Sequence, residues 1–459
     1  MQRSIVIVGA GPAGMAAAIE AVAGNCRVTL LDEAARPGGQ IYRQAHEKLG
    51  DGEFAEAGEK ERKKRLLGRF KATLPRIDYR ADTTAYAAFG NGEIHIASQG
   101  RTERLKPDAV ILATGVRELA IPFPGWTIPG VMFAGGAQAI LKSQRILPGQ
   151  VAVVAGAGPL PMVVAAQLLR AGGKVAALAG LHSALGALTQ PAALWKGRTM
   201  LREGLGYGWT VLRAGVPMLT GYVPVRATGT DRLKSVVLAR TDRDGSIVLG
   251  TEREIACDLL AVNYGFVANS ELAAMAGAAM RRDPAIGGWI PVADAHGRTS
   301  LPWLYVAGDG AGLRGALVAE SEGAIVGAAA AGGAAAQVPA AAVARRAQYL
   351  AFQQIVRRWL RLPPALWRAT TDDTIVCRCE NIHLSELRDA IGKGHESLNA
   401  IKRNSRAGMG WCGGRMCLHS IAALAEQHAG VVPGAMMTPR PMARPVAFAA
   451  LAQQEKVAP

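Results

Sequence analysis

Residues 4–14, SIVIVGAGPAG, narrow the fold more than any other stretch of this chain. The apolar, β-branched run 4–8 has the character of a buried strand, Gly9, Gly11 and Gly14 follow in GxGxxG spacing, and residues 15–23 continue as helix formers. A strand, a glycine turn and a helix in that order leave helix amides facing the end of a sheet, where a pyrophosphate binds. The first glycine makes the turn, the second lets backbone approach the phosphates, and the third lets helix lie on strand. RVTLLDE (27–33) is a second strand ending on Asp32 and Glu33, where a carboxylate meets ribose hydroxyls, and Glu33 is the expected ligand. The early Arg3 and the apolar run imitate an export signal, but strand, turn and helix account for the same residues.

A second fingerprint follows at VAVVAGAGPLP (151–161), with Pro161 at the third glycine position. Its next strand, KVAALAG (174–180), ends without an acid for a ribose diol and without a nearby arginine for a 2′-phosphate. The sequence therefore predicts a second nucleotide-type domain kept as scaffold, with an incomplete NAD(P)H site.

Three further runs, RPGGQIYR (36–43), DAVILATG (108–115) and LYVAGDGAG (304–312), occur in that order. Together with the fingerprints, this set resembles the flavoproteins with two dinucleotide-binding domains, thioredoxin reductase among them, over residues 1–335. The resemblance implies that Gly38, Gly39 and Gln40 lie along the flavin, that Thr114 and Gly115 lie near the adenine half, and that Asp309 takes a ribityl hydroxyl. An acid between Gly308 and Gly310 also suits a helix N-cap. FAD is the expected nucleotide; ATP is the lesser alternative, because the glycines and Glu33 read only adenosine and phosphate. The redox CxxC of thioredoxin reductase is missing, and Cys26 and Cys257 read as core residues.

The other four of the six cysteines, Cys377, Cys379, Cys412 and Cys417, share one segment in the pattern C-x-C, thirty-two residues, C-x4-C. With no export signal the cytoplasm is the expected compartment, where clustered thiols hold metal more often than disulfides. Between the pairs, Leu384, Leu387 and Ile391 mark one short helix and Leu398 and Ile401 another. Cys417 opens a third helix that runs to about His428. Four thiolates suit zinc or a [2Fe–2S] cluster. KRNSRAGMGWCGGRMC (402–417) resembles the bacterioferritin-associated ferredoxin-like [2Fe–2S] domain found in large subunits of heteromeric amine dehydrogenases, which implies the iron–sulfur cluster. Arg378, Lys402, Arg403, Arg406 and Arg415 are expected to balance its negative charge.

The resulting expectation is an α/β chain of two Rossmann-like, thioredoxin-reductase-like domains with a small helical C-terminal [2Fe–2S] domain. The FAD domain is drawn from 1–118 and 267–335, the NAD(P)-like domain from 119–266, a helical linker from 336–370, the cluster domain from 371–430 and an extended tail from 431–459. In the linker, Tyr349, Phe352, Val356 and Trp359 are expected to face inward. Half the residues are hydrophobic and 19% are charged, which suits packed α/β layers. The net charge of +16 comes without an aromatic-interleaved basic motif, so no nucleic-acid partner is expected. No Ser, His or metal-hydroxide constellation offers a catalytic residue.

A flavin accepts two electrons and a [2Fe–2S] cluster passes them singly, so the chain reads as a relay. The family resemblance (opine oxidases, proline and D-hydroxyproline dehydrogenases, hydrogen cyanide synthase) implies a smaller partner flavoprotein of the D-amino-acid-oxidase type that oxidises the C–N bond. It also implies a small ferredoxin-like subunit, FMN at an interface between subunits, and a quinone acceptor reached by peripheral membrane contact. Two rival expectations are a self-contained NAD(P)H-dependent reductase and a zinc-stabilised assembly protein with a vestigial nucleotide fold.

Overall fold

The computed structural model describes residues 2–49, 54–182, 195, 197–283, 288–332, 337–359, 361–393, 397–430 and 434–453. The run 4–8 forms the centre of a five-stranded parallel sheet in the order Leu304–Val306, Ala109–Leu112, Ser4–Val8, Arg27–Leu31, Ile77–Arg80. These strands are short apolar runs because helices cover a face of the sheet. The fingerprint helix Pro12–Ala23 packs against Ala316–Gly332, and the closeness of that pair is written in the sequence. Gly323 and Gly327 lie four apart on one helical face, and a Cβ on either would overlap the backbone oxygen of Ala13 or Ala17.

The second parallel sheet runs Met218–Thr220, Lys174–Gly180, Val151–Gly156, Leu259–Asn263, Val131–Phe133. Helices Ala134–Gln144, Leu160–Arg170 and Arg198–Arg213 accompany it. The chain passes between the two sheets along Val116–Glu118 and returns along Phe266–Ala268, and these segments pair antiparallel.

The C-terminal segment forms the hairpin Ile375–Cys377 and Ile382–His383, then helices Leu384–Gly392, Leu398–Ser405 and Leu418–Ala429. Leu384, Leu387, Ile391, Leu398 and Ile401 are all buried. Cys417 stands at the N-cap of the last helix, which ends on Gly430 in a left-handed conformation. This small domain is not an appendage, because its apolar side chains join those of the second sheet in one continuous core. Three hydrogen bonds pin it to the segment 119–126: Trp126 Nε1 to the Ile375 carbonyl at 2.6 Å, Thr370 Oγ1 to Pro122 at 2.7 Å, and Ser420 Oγ to Ala120 at 2.7 Å.

Helix Ala340–Trp359 fills the linker with Phe352 buried and Tyr349 and Val356 half-buried. The Trp359 side chain is outside the described residues. Cys26 and Cys257 are buried, and burial pushes both thiols up from their ordinary pKa, Cys257 to about 12. Among the described residues no helix is long and apolar enough to cross a membrane.

Candidate cofactor sites

The nucleotide site begins where strand Ser4–Val8 turns at Gly9 and enters the helix at Pro12. Gly14 lies in the first helical turn, and a Cβ there would overlap the Gly9 carbonyl oxygen, so only glycine lets the helix sit this low. Asp32 laces the loop from the neighbouring strand end, accepting from Ala10 N at 2.5 Å and Ala34 N at 2.7 Å. Burial raises its pKa, and those two amides work against the rise. RPGGQ folds back over the turn, so that a Cβ on Gly39 would come within 2.9 Å of the Gly11 Cα. Gln40 beside it is exposed, its side-chain oxygen accepting from Arg43 at 2.9 Å.

Thr114 and Gly115 close another side of this cradle. Thr114 Oγ1 donates to the Asn269 carbonyl at 2.6 Å, and Asn269 donates back to Thr114 O at 3.0 Å through its side chain and to Gly115 O at 3.0 Å through its backbone. Gly310 backs onto Thr114, where a Cβ would lie 2.9 Å from its hydroxyl. Residues 9–14, 36–40, 114–115 and 308–310 thus converge although some three hundred positions of sequence separate the outermost. A bare backbone cradle of this kind fits a dinucleotide.

Two acids behave differently from the sequence expectation. Asp309 Oδ1 accepts from Arg314 N at 2.8 Å and Gly315 N at 2.7 Å, closing the turn ahead of helix Ala316–Gly332, and burial raises its pKa. It therefore ties the loop between the turn Gly308–Ala311 and that helix and is not a helix N-cap, and its second carboxylate oxygen is left for a ligand. Glu33 is exposed and accepts from Arg444 Nε at 3.2 Å. Arg444 belongs to the C-terminal tail, which also bonds Tyr86 O through Ala443 N at 2.6 Å. Nothing in the spacing of the tail could have placed it there.

The four clustered cysteines approach in two pairs, Cys377 with Cys417 and Cys379 with Cys412, each in thiol–thiol contact. Among the described residues, no three such ligands close on a single point. Gly410 makes the crossing possible, since a Cβ on it would overlap Cys379 Cβ. The thiols are electrostatically unequal. Cys377 is drawn down to about 6 by the Cys417 thiol and by the amides of Gly408, Glu380 and Cys379, with the Gly408 N to Sγ distance at 3.5 Å. Cys379 is pushed up to about 11, by burial and then by Cys412. Cys417 rises well above its ordinary value because it donates to Cys377 and is buried. The Cys377 thiolate therefore forms readily, while Cys379 and Cys417 resist until cations share the charge, which is the donor chemistry a metal cluster needs. These residues fit a two-iron centre better than a single tetrahedral ion, which would gather all four sulfurs around one point.

Of the five cations expected to balance such a centre, two have their charge acted on by a clustered thiol. Lys402 is buried and feels Cys417, and Arg415 feels Cys412. Arg406 instead pairs with Glu380 at 2.8 Å, Arg378 lies over the Trp126 ring at 5.3 Å, and Arg403 is exposed. The sequence reading also missed Arg117, a half-buried residue bonded to the cysteine loop; its partners lie some three hundred positions away, beyond any local pattern.

The second fingerprint adopts the strand and helix but not the cradle. Its helix begins at Leu160; Pro159 has its counterpart in Pro12 of the first turn, but Pro161 stands where the third glycine would be and has no N–H to offer. Strand Lys174–Gly180 is followed by Leu181 and His182. Glu118, Asn263 and Gly135 occupy the sheet end instead: Glu118 accepts from Asn263 Nδ2 at 2.7 Å and Gly135 N at 2.9 Å. Burial raises its pKa to about 7.

Comparison with known proteins agrees with this geometry. The family model for pyridine nucleotide-disulphide oxidoreductases matches residues 3–324, and that for the BFD-like [2Fe-2S] binding domain matches 375–427. Hydrogen cyanide synthase subunit HcnB of Pseudomonas aeruginosa is 31% identical, with 97% of each chain covered. An opine oxidase subunit of Rhizobium meliloti is 32% identical over 98% of this chain and 87% of that one. The structure of L-proline dehydrogenase from P. horikoshii superposes with TM-score 0.68 at 20% identity, covering 98% of this chain and 80% of that one. The T. acidophilum thioredoxin reductase gives 0.51 at 18% identity over 72% and 98%. At such identities the two structures speak for the fold alone.

Proposed function

We propose, from the premise that this chain belongs to the pyridine nucleotide-disulphide oxidoreductase family and carries a BFD-like [2Fe-2S] domain, that it is the electron-relay subunit of a heteromeric amine dehydrogenase. A partner flavoprotein subunit oxidises the C–N bond of an opine, a D-amino acid, proline, hydroxyproline or glycine, and this chain passes the electrons to an acceptor such as a quinone. The observation that carries the reading is one chain holding an intact nucleotide cradle and two thiol pairs beside a second fingerprint that has lost its third glycine and its ribose acid.

When bound, FAD would supply two-electron acceptance and [2Fe–2S] one-electron steps. The chain's own residues do the rest. Gly9, Gly11, Gly14 and Gly39 let backbone approach the pyrophosphate, Glu33 takes the ribose, and Gln40, Thr114, Gly115 and Asp309 flank the remainder of the dinucleotide. Cys377 and Cys417 would hold one iron and Cys379 and Cys412 the other, with Lys402 and Arg415 offsetting their charge.

An outward apolar face supports a partner. Helix Arg198–Arg213 turns Leu205, Trp209 and Leu212 to solvent, each more than 60% exposed, with Arg202 and Arg213 beside them. An exposed tryptophan flanked by arginines and apolar side chains, without exposed acids on the helix, suits a protein interface, where tryptophan and arginine are enriched.

The decisive experiment is anaerobic purification of the full chain, assay of flavin, iron and acid-labile sulfide, and mixing with NADH or NADPH. Expected are bound FAD, about two irons and two sulfides per chain, and no bleaching of the flavin by either nucleotide. Rapid bleaching would identify a self-contained reductase, and a colourless zinc protein would end the relay reading.

A further inference from the structure

Arg117 sits on the crossover strand Val116–Glu118, two residues past Gly115 of the nucleotide cradle, with its side chain only 15% exposed. Its guanidinium divides its donors between the two sides of one seam. Toward the nucleotide domain it bonds Asn269 Oδ1 at 2.9 Å and the Ala268 carbonyl at 3.3 Å, and it pairs with Glu271 at 2.7 Å. Toward the cysteine domain its Nε donates to the Arg415 carbonyl at 2.7 Å, and its Nη2 meets His419 Nε2 at 3.3 Å. Arginine can only donate, so that ring nitrogen is the acceptor.

These contacts form a path. The Thr114–Gly115 turn is locked to Asn269, Asn269 to Arg117, and Arg117 to Arg415, which lies between Cys412 and Cys417. His419, two residues past Cys417, stacks on Trp289 with ring centroids 5.8 Å apart, closing the seam from the other side. A rigid planar fork with five donors in fixed directions can hold two bodies in one register, as a lysine ammonium cannot.

We infer that Arg117 is the positioning residue for flavin-to-cluster electron transfer: it fixes the cysteine loop against the nucleotide cradle and brings a positive charge to the loop between Cys412 and Cys417. This rests on the relay reading above. With both groups bound, each transfer would carry one electron from reduced flavin to the oxidised two-iron centre, and two transfers, each followed by onward passage to the acceptor, would oxidise the flavin fully, with its two protons released to solvent. Electron tunnelling falls off exponentially with the gap, so a loosened seam slows the step without altering either binding site.

The test compares wild-type chain with Arg117→Gln and Arg117→Lys, all with flavin, iron and sulfide contents measured first. Laser-flash photoreduction of the flavin gives the rate of cluster reduction, and EPR-monitored titration gives the cluster potential. Expected in R117Q are a slowing of at least about tenfold and a potential shifted to more negative values, because a nearby cation is gone. R117K should recover the potential but not the rate, since it restores charge without the fork. Wild-type rate and potential in an R117Q chain of full cofactor content overturn the inference. If R117Q fails to fold, Asn269→Ala, which cuts the same path while keeping the arginine, must slow transfer with the potential unchanged; an unchanged rate there overturns it equally. A wild-type chain without iron and sulfide instead sinks the relay reading, and this inference with it.

Discussion

The two glycine turns, residues 9–14 and 156–161, sit at the carboxyl ends of equivalent strands in two parallel sheets and differ in what their helices offer. In the first, Gly14 drops the helix onto the Gly9 carbonyl and Asp32 ties the loop down by two amides. In the second, Pro161 takes the place of that third glycine, and the loop is held by its own sheet: Ala157 N donates to Asn263 O at 2.7 Å and Leu181 N to Gly156 O at 2.9 Å. Sheet order, strand direction and helix placement survive in both because apolar packing sets them. The chemistry survives in one because it depends on a few donors and one acid.

The sharpest way to break the comparison is Gly14→Ala. Its methyl has no room beside the Gly9 carbonyl, so the helix must rise, at a cost of about 3 kcal/mol, the upper end of what overpacking usually costs. The expected outcome is a lower melting temperature and loss of bound FAD, read by calorimetry and by absorbance after gel filtration. Retention of full flavin content would show that the first turn is not the cradle.

Next in size is the buried acid of the second turn. Glu118 rises from 4.5 to about 7 because burial outweighs the Gly135 and Asn263 hydrogen bonds. The folded chain therefore keeps a proton that the unfolded chain releases above pH 4.5. Stability from this group is present below that pH and drains away as pH climbs toward 7, by up to about 3 kcal/mol. Glu118→Gln cannot titrate and should flatten that part of the profile. Thermal melts of both proteins from pH 5 to 8 check it: parallel profiles would mean that Glu118 is not held protonated.

Strands and helices were legible where one local pattern decides. Runs 4–8 and 174–180 are the strands Ser4–Val8 and Lys174–Gly180, and Gly430 ends the last helix where the periodicity stops. The cysteines were legible as a cluster because spacing and glycines are local too. What could not be read was every feature made by distant segments meeting. Trp126, Thr370 and Ser420 bury the C-terminal domain into the second, so a module that reads as detachable shares its core. Arg117 and Arg444 carry no sequence mark, and Arg403 and Arg406, whose charge suggested the cluster, are exposed, Arg406 paired with Glu380. Long cationic side chains reach water more cheaply than they reach a buried thiol.

A smaller effect is expected from repairing the second turn. Pro161→Gly restores the GxGxxG spelling and one amide, and a proline in the first helical turn contributes little, so the melting free energy should change by no more than about 1 kcal/mol. Calorimetric titration with NADH should still show no binding, because Leu181 and His182 stand where an acid is needed. Tight NADH binding by this variant would mean that one glycine is all that separates the two turns.

The smallest stability change belongs to Arg444→Ala, and its use lies in pairing it with Glu33→Gln. The Arg444–Glu33 contact is 3.2 Å long with both side chains about a third or more exposed, so its loss should cost under about 1 kcal/mol and less still in high salt. If Glu33 also takes the ribose, the two substitutions separate at the nucleotide. Glu33→Gln removes a charged acceptor worth about 1.5–3 kcal/mol, weakening FAD retention by tenfold or more. Arg444→Ala leaves that acceptor in place, and a carboxylate has lone pairs enough for both partners, so retention should change by less than about threefold. Equal losses in the two variants would make the tail, rather than the strand-end acid, the part of the first turn that holds the nucleotide. The second turn admits no such experiment, having neither residue.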